Sequence, residues 1–453
     1  MGNLFGKREK GLVSIVVPTY NREKYIGEAL DCLKNQTYKN IEVVVIDDCS
    51  TDNSAAVINN WREKNKEAFK NFIYLKLPKN RDEEWACNIG FYLTAGEFIG
   101  LQHSDDISPN ERIEREIEFF KKHPETALVG AKYKSFIGTT DNIVGEALWL
   151  SYDREEIEKT YKKNMGHCVS MGALLFRPSL LEDIIGFKKA FYGVDDWYFI
   201  YEIITHDYIV DNINETLSYY RKHDEQKCNL MLNHEEYKAE KMKQIEGRIS
   251  VILPIYIEKN NALNALKGIL DQSYNNIEII IVDDLLDSNL ESQIKACYDE
   301  YAKNNPEGAV KDFIYFKLPR KVGYPWIYNI GAYLSLGEYI VFHGDNGVSH
   351  KDKLKKQVEF FKRNPSYSAV GTNYDKNDGW IKYDDDIRYS YEINYTHCVH
   401  LDTLMVRTDV INKTGGLSEN IVAKEDFEFI NRLVSKGFNI QNLKEILYYE
   451  ENK

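Results

Sequence analysis

Acidic side chains recur in pairs after apolar segments, and these residues are well suited to hold a cation. The pairs in the first half of the chain are Asp47-Asp48, Asp105-Asp106 and Asp195-Asp196. Carboxylates brought into one crevice repel each other unless a cation or hydrogen-bond donors lie among them. Hard oxygen ligands suit Mg²⁺ or Mn²⁺, and either cation would neutralise a bound diphosphate. The pairs therefore point to a site for a cation and a diphosphate.

Each of these features also has an ordinary structural interpretation. An Asp-Asp pair after a strand usually forms a turn or a helix cap, and His223 alone would most often be a surface residue. The order of the motifs is what favours function. That order is PTYN (18–21), DDCSTD (47–52), CNIG (87–90), GEFI (96–99), HSDD (103–106), and then the acidic pair and Arg221-Lys222-His223.

The motifs follow apolar runs that have the pattern of buried strands. The first run ends in Pro-x-Tyr, and an amphipathic stretch at 22–36 with helical spacing separates it from a second run. Further strand-like runs at 72–78 and 97–103 bracket a helical segment at 84–95. Strands that alternate with helices predict an α/β fold with a mostly parallel sheet covered by helices. Polar residues at the carboxyl ends of these strands should converge on one crevice.

The chain contains this pattern twice. VSIVVPTYN (13–21) returns as ISVILPIYI (249–257), and CNIGFYLTAGEFI (87–99) returns as YNIGAYLSLGEYI (328–340). A period this long indicates a duplicated domain rather than a solenoid unit.

The duplication predicts two domains in a chain of 453 residues, each of about 225 residues. We place them at 1–225 and 248–453. The segment at 226–247 is charged and poor in Gly and Pro, so we expect a helical connector there.

Composition excludes several classes of protein. A net charge of −13 argues against a nucleic-acid partner, because the phosphate backbone favours clustered Lys and Arg. No apolar run reaches the roughly 18 residues needed to span a bilayer. The seven cysteines are scattered without a CxxC motif, which suits reduced thiols in a cytoplasm. We therefore expect a cytoplasmic protein without a transmembrane segment.

The ordered motifs together resemble those of the family 2 glycosyltransferases, which are inverting enzymes with the GT-A fold. The resemblance covers nearly the whole chain, twice. It implies two tandem GT-A domains, Rossmann-like domains of the nucleotide-diphospho-sugar transferase kind. It also implies metal-dependent transfer of a sugar from a nucleotide-sugar, most often a UDP-sugar, to a hydroxyl acceptor in surface glycan or polysaccharide synthesis.

The resemblance assigns roles to individual residues. The positions that match the donor-binding residues of the family are Pro18, Tyr20, Asp47, Asp48, Asn80, Ser104 and Asp105. Asp105 matches the metal-binding DxD motif and would hold Mn²⁺ or Mg²⁺ on the donor diphosphate, with His223 as a further metal ligand. Asp196 matches the catalytic base and would deprotonate the acceptor hydroxyl. The chain departs from the family pattern at His103, where DxD has its first Asp, and at Cys87, where ARNxG has Arg.

The second copy differs from the first at the predicted metal position. Aligned without gaps, Asp105 meets Asn346 and Asp106 meets Gly347. A neutral amide is a poorer ligand for a hard cation than a carboxylate. Asp345 could replace Asp105 only through a one-residue slip of the strand, which would turn its side chain to the other face.

Three interpretations of the duplication remain. In the preferred one, the first domain is the transferase and the second is a degenerate copy for acceptor binding, scaffolding or homodimerisation. In the second, both domains are active, as in tandem-domain polysaccharide synthases. In the third, the chain is a sugar- or nucleotide-binding module without turnover.

Two features are left open by the sequence. The acceptor could be a lipid-linked glycan, a growing polysaccharide or a protein, and a membrane-borne acceptor would require peripheral contact with the inner face of the membrane. His-Cys-Val also recurs at 167–169 and 397–399. It is interpreted either as a core strand beside the acceptor cleft or as a segment that turns His167 towards the acceptor.

Overall fold

The computed structural model describes residues 8–188, 195–226, 244–256, 261–285, 290–377, 379–418 and 425–450. The chain divides into two compact units, Met1–Met242 (unit 1) and Lys243–Lys453 (unit 2). Most of the predicted connector at 226–247 lies outside the described residues, and its last residues belong to a strand that begins at Ile245.

The described strands of unit 1 form an eight-stranded sheet. They are β1 (Glu9–Thr19), β2 (Ile41–Asp47), β3 (Asn71–Lys76), β4 (Gly96–Leu101), β5 (Thr126–Phe136), β6 (Ile143–Glu146), β7 (Leu174–Phe176) and β8 (Ile209–Arg221). The strand order is β3-β2-β1-β4-β7-β5-β6, with β8 paired to β5. Strands β3, β2, β1 and β4 are parallel, whereas β7 runs antiparallel between β4 and β5. The predicted mostly parallel sheet is confirmed.

Helices cover this sheet. They are α1 (Ile26–Lys34), α2 (Ser54–Lys64), α3 (Glu83–Tyr92), α4 (Arg112–Lys122), α5 (Arg154–Lys162), α6 (Leu180–Asp183) and α7 (Asp195–Thr205). Helix α1 buries the apolar face that its sequence spacing predicts, formed by Ile26, Ala29, Leu30 and Leu33. The side chains of β1 from Leu12 to Val17 are fully buried, as expected of a strand covered on both faces.

Unit 2 repeats the architecture in its own eight-stranded sheet. The described strands are β9 (Ile245–Ile255), β10 (Ile277–Asp283), β11 (Val310–Lys317), β12 (Gly337–Phe342), β13 (Gly347–Ser349), β14 (Tyr367–Tyr374), β15 (Met405–Arg407) and β16 (Asn439–Glu450). Their order is β11-β10-β9-β12-β15-β14-β16-β13. The described helices are α8 (Ala262–Leu270), α9 (Leu290–Asn304), α10 (Tyr324–Leu334), α11 (Lys353–Arg363), α12 (Asp385–Glu392), α13 (Thr408–Thr414) and α14 (Glu425–Ser435), and a 3₁₀ turn spans Leu401–Thr403.

The two units share one strand register. Val13 pairs with Phe98 in unit 1, and the corresponding Ile249 pairs with Tyr339 in unit 2. No slip separates the central strands of the two copies, so Asn346 occupies the position of Asp105, as the ungapped alignment predicts.

The last strands also correspond. Tyr219 bridges Ile107 in unit 1, and Tyr449 pairs with Val348 in unit 2. When the same alignment is continued along the sequence, Lys453 falls at the position of His223. Lys453 lies outside the described residues.

Candidate active site

A cavity of about 700 Å³ opens in unit 1 at the carboxyl ends of β1 and β4. The predicted site residues that line it are Pro18, Tyr20, Asp48, Asn80, Ser104, Asp105 and Asp196. The convergence of strand-end residues follows from the parallel arrangement of the sheet. The cavity is large enough for a small-molecule ligand.

Asp47 ends β2 and Asp48 follows it, and both accept hydrogen bonds from backbone amides. Asp47 is fully buried and accepts hydrogen bonds from the Ser50 amide at 2.7 Å and the Tyr74 hydroxyl at 2.8 Å. Asp48 accepts from the amides of Arg81 and Asp82 at 2.7 and 2.8 Å. Asp48 therefore fixes the cavity wall at the start of α3, whereas Asp47 is not among the residues that line the cavity. Contact of either residue with a ligand stays a prediction.

Asp105 lies at the centre of a charged cluster. Its Oδ2 atom is 2.9 Å from Arg22 Nε and 3.1 Å from His223 Nε2. The Arg221 guanidinium donates to the Asp105 carbonyl at 2.8 Å. Asp105 and His223, for which the resemblance implies a common metal site, are thus brought together from strand ends 118 residues apart.

The neighbours of Asp105 keep its carboxylate ionised. Burial alone would raise the pKa of Asp105, but the hydrogen bond from His223 and the charge of Arg22 outweigh it and hold the pKa at about 2. Burial opposes the charged form of His103 too, yet its hydrogen bond to Asp106 and the charge of Glu83 raise its pKa to about 9. The cavity floor therefore carries opposite charges side by side.

The donor set of this cluster fits a hard divalent cation bound together with a diphosphate. Among the residues that the structure describes, no group of three or more His, Cys, Asp or Glu side chains is arranged around one point. Asp105 and His223 supply an oxygen and a nitrogen 3.1 Å apart, a separation at which two donors can share one ion. Mg²⁺-type sites commonly take one or two protein carboxylates and complete their coordination with phosphate and water. Arg22 bonds to the same carboxylate oxygen and would have to give way.

Asp196 lies in the first turn of helix α7 and lines the cavity. Half of its side chain is exposed, and its Oδ2 lies 3.4 Å from His167 Nε2. Its Oδ1 accepts from the Trp197 amide at 2.7 Å. Partial burial would raise the pKa of Asp196, but the hydrogen bond from His167 outweighs it and lowers the pKa. An ionised, accessible carboxylate is what a general base requires.

Sequence reasoning missed several charged residues of the cavity wall, among them Arg22 and Glu83. Arg22 directly follows the PTYN motif, and this adjacency was the available signal. Its guanidinium also donates to the carbonyls of Tyr20 and Asn21 at 3.1 Å. Arg22 therefore supplies positive charge to a cavity whose Cys87 stands where the resemblance expects Arg.

The backbone is strained beside the cavity. Asn21, Cys49 and Asp82 have φ angles of 51°, 64° and 85°, in the region that favours glycine. Non-glycine residues persist there only when the surroundings hold them, and they cluster at functional sites. Unit 2 has Gly323 where unit 1 has Asp82, with a φ of 91°, so the same backbone path is free of that strain in the second copy.

The corresponding region of unit 2 is filled by larger side chains. Tyr448, fully buried, stands where unit 1 has Ser218, and a Cβ atom built on Gly347 would lie 2.2 Å from its ring. The space that the Asp106 side chain would need in unit 2 is therefore taken. Tyr328 replaces Cys87 and donates to Asp402 Oδ1 at 3.1 Å.

The aromatic packing continues along α10. Tyr324 stands where unit 1 has Glu83, and its ring lies 5.3 Å from Tyr256 and 5.2 Å from Tyr328. Its hydroxyl donates to Asp426 Oδ1 at 3.4 Å, and Asp426 is the counterpart of Asp196. In contrast, the aspartate that ends the second strand keeps its bond in unit 2. Asp283 accepts a hydrogen bond from the Tyr315 hydroxyl at 2.6 Å, as Asp47 does from Tyr74.

No described helix of either unit combines the length and apolar character needed to cross a bilayer.

Comparison with known families identifies two matching regions. The profile described as glycosyl transferase family 2 matches residues 14–184 and 250–417. An uncharacterized glycosyltransferase of Rickettsia conorii is 24% identical over 424 residues, which are 81% of this chain and 66% of that protein. An uncharacterized glycosyltransferase of Haemophilus influenzae is 38% identical over 108 residues, which are 24% of this chain and 42% of that protein. The chain thus spans less than two thirds of either relative.

Solved structures give weaker matches. Residues 1–349 of S. aureus TarS, in complex with UDP-GlcNAc, align with a TM-score of 0.38 and 24% identity over 47% of this chain and 59% of that one. The mannosyltransferase PcManGT from Pyrobaculum calidifontis, in complex with GDP-Man and Mn²⁺, aligns with a TM-score of 0.36 and 20% identity over 46% and 56%.

Proposed function

The chain belongs to glycosyl transferase family 2, and from that premise we propose that unit 1 transfers a sugar from a nucleotide-sugar donor to an acceptor hydroxyl with inversion. The observation that carries this proposal is the joint presence of Asp105 and Asp196 in the walls of one cavity. The first residue belongs to a cluster suited to a diphosphate and cation, and the second is an accessible carboxylate. We further propose a UDP-sugar as donor and a glycan, free or lipid-linked, as acceptor.

The side chains of unit 1 would divide the reaction between them. Asp196 accepts the proton of the acceptor hydroxyl as that oxygen attacks the anomeric carbon, and the bond to the diphosphate breaks on the opposite face. Asp105 and His223 would hold Mn²⁺ or Mg²⁺, which when bound neutralises the charge that develops on the diphosphate. Arg22 adds positive charge on the same side of the cavity.

We propose that unit 2 is a degenerate copy without transfer activity. Tyr448 takes the space beside Gly347, and Asn346 replaces the carboxylate of Asp105. Tyr324 bonds to Asp426, the counterpart of Asp196, and so occupies space beside that carboxylate. These contacts favour one active unit over a synthase with two.

Paired substitutions test the proposal. We expect wild-type protein with Mn²⁺ to release UDP from at least one of UDP-glucose, UDP-galactose and UDP-N-acetylglucosamine. Asp105→Asn should lower kcat/KM by about 100-fold or more, because the cation contributes several kcal/mol to the transition state. Asp345→Asn makes the same chemical change beside the corresponding position of unit 2 and should leave kcat/KM unchanged. Equal loss in both variants would contradict a degenerate second unit, and full activity of Asp105→Asn would contradict the cation site.

A further inference from the structure

The repeated His-Cys-Val motif places an imidazole against the candidate base of unit 1. His167 Nε2 lies 3.4 Å from Asp196 Oδ2, and about a quarter of the His167 side chain is exposed (26%). The two residues come from separate segments, a loop after α5 and the first turn of α7. A second bond ties the same segments together, from Trp197 Nε1 to the Gly166 carbonyl at 2.6 Å.

A buried tyrosine fixes the tautomer of His167. The Tyr161 hydroxyl lies 2.5 Å from His167 Nδ1, and Tyr161 is fully buried. Burial raises the pKa of Tyr161, so the phenol keeps its proton and donates a hydrogen bond to Nδ1. A neutral imidazole that accepts at Nδ1 carries its hydrogen on Nε2. His167 therefore donates to Asp196.

Aromatic contacts fix the plane of the same ring. Trp149 stacks on His167 with centroids 5.2 Å apart and planes 23° apart, and Tyr161 meets the ring edge-on at 87°. Trp149 is itself 42% exposed, so the stack lies near the protein surface rather than deep in the core. The imidazole is thus constrained in both plane and tautomer, although it lies near solvent.

We propose that His167, held by Tyr161 and Trp149, is a positioning residue that orients Asp196 for proton abstraction from the acceptor. This inference rests on the function proposed above, in which Asp196 is the base. The contact between Nε2 and Oδ2, together with the bond from the Trp197 amide to Oδ1, limits rotation of a carboxylate that lines the cavity. Outer partners that orient metal ligands typically change activity by about 10- to 100-fold, and we expect an effect of the same order for a partner that orients a base.

Unit 2 supplies a matched control for a purely structural role. Tyr391 bonds to His397 Nδ1 at 2.8 Å, and Trp380 stacks on His397 at 5.4 Å and 21°. The same scaffold therefore exists in both units. In unit 1 the imidazole of this scaffold contacts Asp196, which lines the cavity.

The test compares His167→Ala with His397→Ala in the full-length chain. We expect His167→Ala to lower kcat for UDP-sugar hydrolysis by about 10- to 100-fold with little change in donor KM. It should also raise the pKa of Asp196, measured by NMR with ¹³C-labelled aspartate, because the carboxylate loses a donor. Tyr161→Phe keeps the ring and removes the hydroxyl, so it should give smaller changes in the same direction. His397→Ala should alter neither quantity.

Two results would overturn the positioning role. One is an Asp196 pKa that is the same in His167→Ala and wild type. The other is an equal fall of kcat in His167→Ala and His397→Ala, which would indicate general loss of structure. Failure of the proposed function is distinct from both: full activity of Asp196→Asn would remove Asp196 as base, whereas the NMR measurement would still report whether His167 bonds to it.

Discussion

At the scale of single residues, aspartates at adjacent positions of the same turn in the two units differ in chemistry because their neighbours differ. Asp105 bonds to Arg22 and His223 and has a pKa of about 2. Asp345 stands at the position of Ser104 and is also buried, but burial and the nearby charge of Asp402 raise its pKa to about 7. The neighbours of Asp105 stabilise its carboxylate as an anion, and those of Asp345 do not.

This difference predicts a pH-dependent effect of Asp345→Asn on stability. The folded pKa of Asp345, about 7, exceeds the value of about 3.9 in an unfolded chain. Its contribution to stability is therefore fully present below pH ~4 and is lost as pH rises towards 7. The neutral amide has no such loss, so the melting temperature of the variant minus that of wild type should increase from pH 5 to pH 8.

The control for this experiment is Asp299→Asn, an exposed aspartate of α9 in the same unit. It should give a difference that does not vary with pH. A pH-independent difference for Asp345→Asn as well would contradict the burial argument.

Residue types and spacing identified part of this chemistry in advance. The replacement of Asp105 by Asn346 could be predicted from the sequence, because the flanking segments of the two copies align without gaps. The structure has the predicted register. The role of Tyr448 could not be predicted, because its ring occupies space beside Gly347 of another strand, where any larger residue would clash. The His167–Asp196 contact could not be predicted either, because His167 lies in a loop and the sequence of a loop has no periodic pattern that indicates its path.

At the scale of elements, one close helix–strand contact is repeated in both units. Helix α3 crosses β1 at Gly90, where an added Cβ would lie 2.3 Å from Val16 Cγ1. Helix α10 crosses β9 at Gly331, where the corresponding distance to Ile252 Cγ2 is 2.4 Å. Glycine at these positions lets the helix approach the sheet, and α3 brings Glu83 and Cys87 to the cavity wall.

The paired variants Gly90→Ala and Gly331→Ala should therefore separate stability from activity. Alanine gains about 1 kcal/mol of helix propensity over glycine, but the clash with a branched side chain costs about 1–3 kcal/mol. We expect chemical denaturation to show a net destabilisation of the unit that carries each substitution. Only Gly90→Ala should also lower kcat/KM, because it displaces α3 from the cavity. Unchanged stability of both variants would contradict this expectation and would show that the helices can shift without loss of folding free energy.

The elements themselves were largely predictable. Apolar β-branched runs located the central strands, and helical spacing located α1 with its buried face. The antiparallel strand β7 was not predicted, because its three residues, Leu174–Phe176, are too few to show a period. Neither the predicted connector nor its helical form is tested, since most of it lies outside the described residues.

At the scale of the whole molecule, each unit has its own hydrophobic core. The core of unit 1 includes Val13, Leu30 and Val45, and the corresponding cluster of unit 2 includes Ile249, Leu266 and Ile281. A core that draws its buried side chains from one unit supports folding of that unit as a body. Duplication could therefore preserve the fold of unit 2 while substitutions such as Tyr448 filled its crevice.

Ligand-dependent calorimetry tests this division of roles in the intact chain. A ligand that binds only the folded state stabilises it by RT ln(1 + [L]/Kd), about 2.7 kcal/mol at 100 times Kd. UDP with Mn²⁺ should therefore raise the melting temperature of the unit 1 transition and leave that of unit 2 unchanged. Gly90→Ala and Gly331→Ala each destabilise one unit and so assign the two transitions. If UDP raised the transition that Gly331→Ala lowers, unit 2 would retain a nucleotide site despite Tyr448 and Tyr328, and the assignment of a single active unit would be wrong.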